Sequence, residues 1–205
     1  MKILNLYAGI GGNRKLWGDE HEITAVEHEQ YIADVYKQFY PNDTVVVADA
    51  HQYLLDHYKE FDFIWSSPPC PSHSRIRLTH KTKPTKPVFP DMKLYEEIIF
   101  LRHFCDTKWL VENVIPYYRP LIAPTATLDR HYVWSNIDIE DREFERGYTI
   151  DLTRQRKSTD ILSAAYGIEL PVGTKNQRKL LRNAVLPEMG LYVLEQINAK
   201  QGVLV

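Results

Sequence analysis

The chain has 205 residues, of which 44% are hydrophobic, and a formal net charge of −2 at pH 7. This length suits one domain with a substantial core, and a near-neutral chain can contact nucleic acid only through a local basic patch. Two cysteines do not make a disulfide framework, no apolar run reaches the roughly 18–20 residues of a membrane span, and the N-terminus lacks a signal peptide's regions, so we expect a cytoplasmic protein without membrane contact.

Short β-rich runs alternate with amphipathic segments through the first half of the chain. We predict strands at 2–7, 22–27, 44–49, 61–65 and 108–113, and helices around 13–18, 29–40, 51–58 and 91–105. Near-continuous apolar strands separated by helices indicate a parallel sheet covered on both faces. The predicted fold is therefore α/β, a doubly wound, Rossmann-like domain with a mostly parallel sheet and right-handed crossovers.

The last third of the chain is less regular. We predict a further strand at 131–139, a polar and exposed connection at 140–147, and a closing helix at 187–199 with proline in its first turn. Residues 148–178 have weak periodicity, and the sequence assigns them no element.

Polar and glycine residues collect where the predicted strands end. In open parallel sheets, ligands bind beyond the carboxyl ends of the strands. Those ends carry "AGIGG" (8–12), Glu27, Asp49, "PPC" (68–70) and "EN" (112–113). Each has a simpler interpretation alone: acidic residues there are often helix caps, and a lone cysteine is often an inert core thiol. A carboxylate directly after an apolar strand is unusual, so together they predict a site.

The segment "SSPPCPSHSRIR" (66–77) places a cysteine between prolines and before a basic loop. The prolines stiffen the backbone, and the basic loop is expected to favour the thiolate. A zinc site built from Cys70, His73, His103 and Cys105 is an alternative. The second pair has abnormal spacing, so we expect no metal.

These motifs, in this order, resemble the DNA cytosine C5-methyltransferase family: "LYAGIGG" near the start, "SPPCPSHSR", "VENV" (111–114) and "RNAVLPEMG" (182–190). The resemblance implies S-adenosylmethionine as cofactor, with Glu27 on the ribose hydroxyls and Asp49 on the adenine edge. The cofactor residues it implies are Tyr7, Ala8, Gly9, Ile10, Gly11, Gly12, Glu27, His28, Asp49, Ala50, Pro69, Asn183, Ala184 and Val185. Family members usually carry phenylalanine where Tyr7 stands.

The resemblance also implies a covalent mechanism on a flipped-out cytosine in DNA. Cys70 is the expected nucleophile, Glu112 contacts the ring nitrogen N3 and the exocyclic amine, and Asn113 orients the neighbouring loop. Arg130 matches the first arginine of a motif that contacts the target base, although Leu128 and Tyr132 replace two other motif residues.

The basic loop 71–90 contains no acidic residue and is predicted to grip phosphates. Its expected DNA contacts are Ser72, His73, Arg75, Arg77, Lys81, Lys83 and Lys86. A solvated basic loop is the simpler interpretation when the loop is considered alone.

The resemblance predicts a catalytic and cofactor-binding unit over 1–140, a reduced target-recognition or connecting region over 141–178, and a C-terminal helix over 179–205 that completes the first unit. The interval between Arg130 and Asn183 is too short for a full recognition domain, so selectivity could require a homo-oligomer or a separate specificity subunit. Compact chains of this pattern are typical of bacteriophages and prophages. An RNA cytosine methyltransferase and a non-catalytic DNA-binding subunit remain alternatives.

Overall fold

The structure is a computed structural model that describes residues 1–78, 86–145 and 159–199. Its centre is one sheet of seven strands in the order β3-β2-β1-β4-β5-β7-β6. The first five strands in chain order are parallel to one another, whereas β7 runs antiparallel to both β5 and β6. The strands are β1 Lys2–Leu6, β2 Glu22–Glu27, β3 Thr44–Val47, β4 Phe63–Ser66, β5 Lys108–Val114, β6 Ala126–Leu128 and β7 His131–Ser135.

Helices follow the parallel strands and cover both faces of the sheet. They are α1 Gln30–Phe39, α2 Ala50–His57, α3 Lys93–Phe104, α4 Thr159–Tyr166, α5 Gln177–Asn183 and α6 Pro187–Ala199, with 3-10 turns at Asn13–Leu16, Tyr58–Glu60 and Arg75–Leu78. No helix in the described ranges combines the length and apolarity needed to cross a bilayer. The predicted doubly wound α/β class is confirmed.

Several element boundaries differ from the sequence prediction. The helix expected at 13–18 is a single 3-10 turn, and the strand expected at 44–49 ends at Val47 because Asp49 caps α2. The strand expected at 131–139 ends at Ser135, and β6 was not predicted. Within the unassigned segment 148–178, the structure places α4 and the start of α5.

The strands alternate their side chains between two apolar layers, as an extended backbone requires. Ile3, Phe63 and Trp65 face α6 and pack with Met189, Val193 and Ile197. Leu4, Leu6 and Ile64 face the other side and pack with Leu54, Ile98 and Leu101 of α2 and α3. Helices therefore cover both faces of the central strands. A ligand can then reach these strands only at their ends, and the carboxyl edge is where sites form in such sheets.

The C-terminal region packs against the sheet domain. In α6, a Cβ on Gly190 would lie 2.1 Å from the carbonyl oxygen of Asn13, so glycine allows this helix to touch the first 3-10 turn. Leu162 of α4 and Leu180 of α5 share an apolar cluster with Val35 of α1. Of the predicted 141–178 region, α4 therefore packs beside α1 and α5, whereas Phe144 packs against the layer that contains α6.

Candidate active site

A cavity of about 530 Å³ opens at the carboxyl ends of β1, β2, β4 and β5. It lies where the strand order reverses between β1 and β4, which is the usual ligand position in such sheets, and its volume is typical of a small-molecule site. Of the residues predicted to bind cofactor, the cavity is lined by Tyr7, Ala8, Gly9, Ile10, Glu27, His28, Asp49, Ala50, Pro69, Asn183, Ala184 and Val185.

The turn after β1 forms the cavity floor. Gly9 has a φ of +55°, and no atom lies within 4 Å of the position that a Cβ would take there. The backbone at Gly9 therefore leaves open space for a ligand.

Two glycines of the same turn have a different role from the one predicted. A Cβ on Gly11 would lie 2.4 Å from the ring of Tyr40, and one on Gly12 would lie 2.2 Å from the carbonyl oxygen of Val185. Neither glycine lines the cavity. Gly11 and Gly12 allow close packing of α1 and the C-terminal segment, so we remove them from the expected cofactor contacts.

Glu27 is held by the backbone around it. One carboxylate oxygen accepts a hydrogen bond from the N–H of Gly9 at 3.0 Å, and the other accepts from the N–H of Glu29 at 3.0 Å. A carboxylate oxygen has two lone pairs, so each retains capacity for a second donor. This geometry suits a pair of vicinal hydroxyls.

Asp49 is the N-cap of α2, which was the simpler of its two interpretations. Its Oδ1 accepts from the N–H groups of His51 and Gln52 at 2.9 and 3.2 Å, and its Oδ2 contacts the ammonium of Lys93 at 3.2 Å. Asp49 and Lys93 both line the cavity. The cap therefore places the carboxylate of Asp49, paired with the ammonium of Lys93, at the cavity wall.

Cys70 lies on the loop after β4, and its backbone is fixed by a neighbouring strand. The amide of Asn113 donates to the carbonyl oxygen of Pro68 at 2.8 Å, inside the protein. Cys70, Glu112 and Asn113 all line the cavity. The parallel pairing of β4 with β5 thus brings the two motifs together, as the sequence predicts.

The pKa of Cys70 depends on burial and on two charged residues. Burial raises the pKa of its thiol, the charge of Glu112 raises it further, and Arg182 acts in the opposite direction. In the free protein the thiol is therefore favoured over the thiolate. Among the described residues, the cation whose charge lowers this pKa is Arg182, on the C-terminal side of the cavity. Lys81 and Lys83 of the basic loop lie outside the described residues, so the prediction that this loop favours the thiolate stays a prediction.

Glu112 is 5% exposed and has two neighbours that the sequence did not suggest. Ser67 donates its hydroxyl to one carboxylate oxygen at 2.8 Å, and Nε2 of His131 lies 3.5 Å from the other. Nδ1 of His131 is buried without a hydrogen-bond partner among the described residues. His131 pairs with Val114 in the β5–β7 ladder, which puts it on the same face as Glu112.

Arg130 occupies a position that does not suit its predicted role. Leu128 pairs with His131, so Asp129 and Arg130 form a two-residue hairpin turn, with Asp129 at a φ of +54°. The Arg130 side chain is 52% exposed, lies 4.0 Å from Asp129 and does not line the cavity. His131, one residue later, faces Glu112 in its place.

The basic loop is described up to residue 78 and again from residue 86. Arg75 and Lys86 are exposed, and Arg77 donates to the carbonyl oxygen of Pro71, a cavity-lining residue, at 3.4 Å. Ser72 accepts from the N–H of Asp91 at 3.0 Å and ties the two ends of the loop together. Lys81 and Lys83 lie outside the described residues.

His73 is not on the surface of this loop. It is 1% exposed, and its Nδ1 lies 2.6 Å from the hydroxyl of Tyr118. Burial lowers its pKa, which favours the neutral ring. We therefore remove His73 from the expected DNA contacts, since its ring anchors the loop to the protein interior.

The zinc alternative has no support in the described ranges. No group of three or more histidine, cysteine, aspartate or glutamate residues is placed there to hold a metal ion. The thiol of Cys105 is buried and contacts the hydroxyl of Thr107 at 3.2 Å. Cys105 is a core residue.

Comparison with known proteins gives a family match over the first part of the chain. The family model described as "C-5 cytosine-specific DNA methylase" matches residues 1–115 of the 205. This range includes Cys70, Glu112 and Asn113, and it excludes Arg130 and Asn183. None of the curated protein sequences matches the chain.

Several solved methyltransferase structures are similar to the chain at low sequence identity and with TM-scores below 0.5. A DNMT2 variant from Spodoptera frugiperda is 22% identical with a TM-score of 0.48, and covers 76% of this chain and 53% of its own. Dnmt2 from S. pombe is 16% identical with a TM-score of 0.45, covering 77% and 56%. A putative DNA modification methyltransferase from an E. coli prophage is 17% identical with a TM-score of 0.38, covering 58% and 33%. The chain thus spans about half the length of the two DNMT2 proteins, or less for the third.

Proposed function

The chain belongs to the C-5 cytosine-specific DNA methylase family, and we propose that it methylates carbon 5 of a flipped-out cytosine in DNA through a covalent bond to Cys70. The observation that carries the proposal is the convergence of Cys70, Glu112 and Asn113 on one cavity with the turn after β1. Nucleophile, proton-handling group and ligand turn come from three different strand ends.

The family's methyl donor is S-adenosylmethionine, and the residues present fit it. Gly9 leaves open space above the turn, and Glu27 presents oriented oxygens for ribose hydroxyls. Asn183 to Val185 form the opposite wall. When bound, this cofactor supplies an electrophilic methyl group, and the carbon 5 nucleophile that accepts it is generated by the chain's own residues.

Cys70 makes carbon 5 nucleophilic. The thiol proton passes to solvent, the sulfur forms a bond to carbon 6, and the π electrons of the 5,6 double bond move towards carbon 5. Later loss of the carbon 5 proton and breakage of the sulfur–carbon bond release the cysteine. The hydrogen bond from Asn113 to Pro68 fixes the loop that carries Cys70, so the sulfur is held close to its point of attack.

Glu112 handles the proton of the base. It faces the cavity, is almost completely buried, and is oriented by the hydroxyl of Ser67. Protonated or sharing a proton with the base, it contacts N3 and the exocyclic amine as attack proceeds. The ring of His131 lies beside the second oxygen, with its Nε2 3.5 Å away.

Nucleic acid would approach over the basic loop. Arg75 and Lys86 are exposed on this loop and Arg77 is half-buried, and phosphate contacts there would hold a duplex from which the cytosine is flipped. The region 141–178 is proposed as a reduced recognition or connecting segment, with selectivity supplied by a second copy or a separate subunit.

The test is a trapping experiment with duplex DNA that contains 5-fluorocytosine, with S-adenosylmethionine present. Fluorine cannot leave as a proton does, so the sulfur–carbon bond persists after methyl transfer. We expect a denaturation-resistant adduct with the wild type and with the matched control Cys105→Ser. The adduct should be absent in Cys70→Ser and without cofactor.

Three results would contradict the proposal. An adduct that survives Cys70→Ser would move the nucleophile elsewhere. An adduct only on the matching RNA would change the substrate class. No adduct on either nucleic acid, with or without added partner fractions, would favour the non-catalytic alternative.

A further inference from the structure

A buried carboxylate lies behind the cavity and takes no part in the proposed reaction. Glu96 and Glu97 are adjacent in α3, but Glu96 is exposed whereas Glu97 is 0% exposed. Taking a carboxylate out of water is unfavourable unless hydrogen bonds and charge compensate it. Glu97 therefore needs partners, and its partners are informative.

Three side chains from three elements meet on Glu97. The hydroxyl of Tyr7 donates to Oε1 at 2.5 Å, the hydroxyl of Ser66 donates to Oε2 at 2.6 Å, and Nδ1 of His51 lies 3.0 Å from Oε1. Tyr7 follows β1, Ser66 ends β4, and His51 is in the first turn of α2. One carboxylate thus joins the two strands at which the sheet order reverses.

These partners belong to the wall of the cavity or adjoin it. Tyr7 lines the cavity, and Ser66 directly precedes Ser67, which lines it too. His51 follows Asp49 and Ala50, which also line it. A shift of Glu97 would therefore move several lining residues at once.

Tyr7 has a backbone that requires such support. Its φ is +56°, a left-handed conformation that is uncommon for a residue with a bulky side chain. The hydrogen bond from the Tyr7 hydroxyl to Glu97 fixes the side chain of Tyr7 as well as its backbone. This hydrogen bond also explains the tyrosine at position 7. A phenylalanine there would lack the hydroxyl and would leave Glu97 with one donor fewer.

We propose that Glu97 is a positioning residue for the cofactor pocket, and that it acts through the hydroxyl of Tyr7. Because Tyr7 lines the cavity, this hydrogen bond fixes part of the surface against which the cofactor rests. The inference rests on the proposed function in one respect, namely that the ligand of this cavity is S-adenosylmethionine.

Charged groups surround the Glu97 cluster on its outer side. His51 lies between Glu97 and Glu96, with its Nε2 3.3 Å from Glu96, and Lys93 is the nearby cation. The hydrogen bond to Glu97 raises the pKa of His51. A protonated His51 can donate to both carboxylates and balance the buried charge.

The experiment measures S-adenosylhomocysteine binding to the full chain by calorimetry, at a temperature well below each variant's unfolding. Tyr7→Phe keeps the ring and removes the hydroxyl, and Glu97→Met keeps the approximate shape and removes the acceptor oxygens. We expect each to weaken binding about 5–10-fold, the effect of one hydrogen bond. The double variant should be no weaker than the worse single variant, since both remove one interaction.

Controls separate positioning from general stability. Tyr53→Phe, in the same helix as His51 but stacked on His57, should bind as the wild type does. Affinity for DNA without cofactor should not change in any variant. If Tyr7→Phe binds like the wild type, or if the two single effects multiply in the double variant, the inference is overturned. If the wild type itself fails to bind, the proposed function fails, and the inference with it.

Discussion

Replacing Glu112 by glutamine should make Cys70 more acidic. The pKa of this thiol is raised by burial and, next, by the carboxylate of Glu112, whereas Arg182 lowers it. Glu112→Gln removes one negative charge and keeps the shape and the hydrogen bond to Ser67. The pH profile of Cys70 alkylation should therefore move to lower pH, and in Arg182→Gln it should move to higher pH.

The size of each shift follows from how well solvent screens the charge. Glu112 is 5% exposed, so its charge is weakly screened, and we take about 1 kcal/mol for its effect on the thiolate. At about 1.4 kcal/mol per pKa unit, the midpoint should fall by about 0.7 unit. Arg182 is exposed, so its charge is better screened, and its removal should raise the midpoint by only about 0.3 unit.

The assay is iodoacetamide alkylation between pH 6 and 10, followed by intact mass. A Cys105→Ser background restricts the reaction to Cys70, and Glu22→Gln, at the amino end of β2, serves as a remote control. An unchanged or upward-shifted midpoint in Glu112→Gln would refute the reasoning, because the carboxylate could then not be facing the thiol.

Three further predictions concern the neighbouring groups. His131→Ala should slow adduct formation with 5-fluorocytosine DNA about tenfold, because the His131 ring faces Glu112. Arg130→Ala should change this rate less than about twofold. A larger loss of rate in Arg130→Ala than in His131→Ala would support the sequence motif over the observed strand register. Arg14→Met should destabilise the protein by about 3–5 kcal/mol, roughly 10 °C in melting temperature, because it leaves Asp43 buried and unpaired. A double variant in which both Arg14 and Asp43 are apolar should recover most of the lost stability in thermal unfolding. An undiminished loss in this double variant would contradict the effect of a buried pair. Because the pKa of His51 is raised, its contribution to stability is complete below the ordinary histidine pKa of 6.5 and is lost as pH rises through the folded-state pKa. The melting temperature should therefore fall over this pH range in the wild type and fall less in His51→Gln. An equal dependence of melting temperature on pH in the two proteins would be the contrary result.

Part of the site could be read from the sequence because it depends on strand ends alone. Cys70 follows β4, and Glu112 with Asn113 ends β5. The carboxyl ends of parallel strands meet at one edge whatever their exact register. The cavity lined by Cys70, Glu112 and Asn113 therefore follows from the order of apolar runs and the residues after them.

Other residues depended on which way a side chain points, and only pairing and packing determine that. Arg130 has the motif's residue type, but the two-residue hairpin turn exposes it and turns His131 towards Glu112. In a strand, a shift of one residue exchanges the two faces. The sequence near 130 does not state where β7 begins, so it could not choose between the neighbours.

Packing over long sequence separations determined the rest. Gly12 is needed because Val185 passes against it, and Glu97 is buried because Tyr7 and Ser66 meet it from two strands. Helical spacing places Glu97 on the same face as Leu94 and Leu101, but it does not tell which groups meet its carboxylate. The sequence alone thus determined the α/β class, the edge of the sheet that carries the site and the position of Cys70 at that edge, since these follow from local runs and their ends. The tertiary structure alone decided which polar side chains face the cavity, because that depends on contacts between residues far apart in the chain.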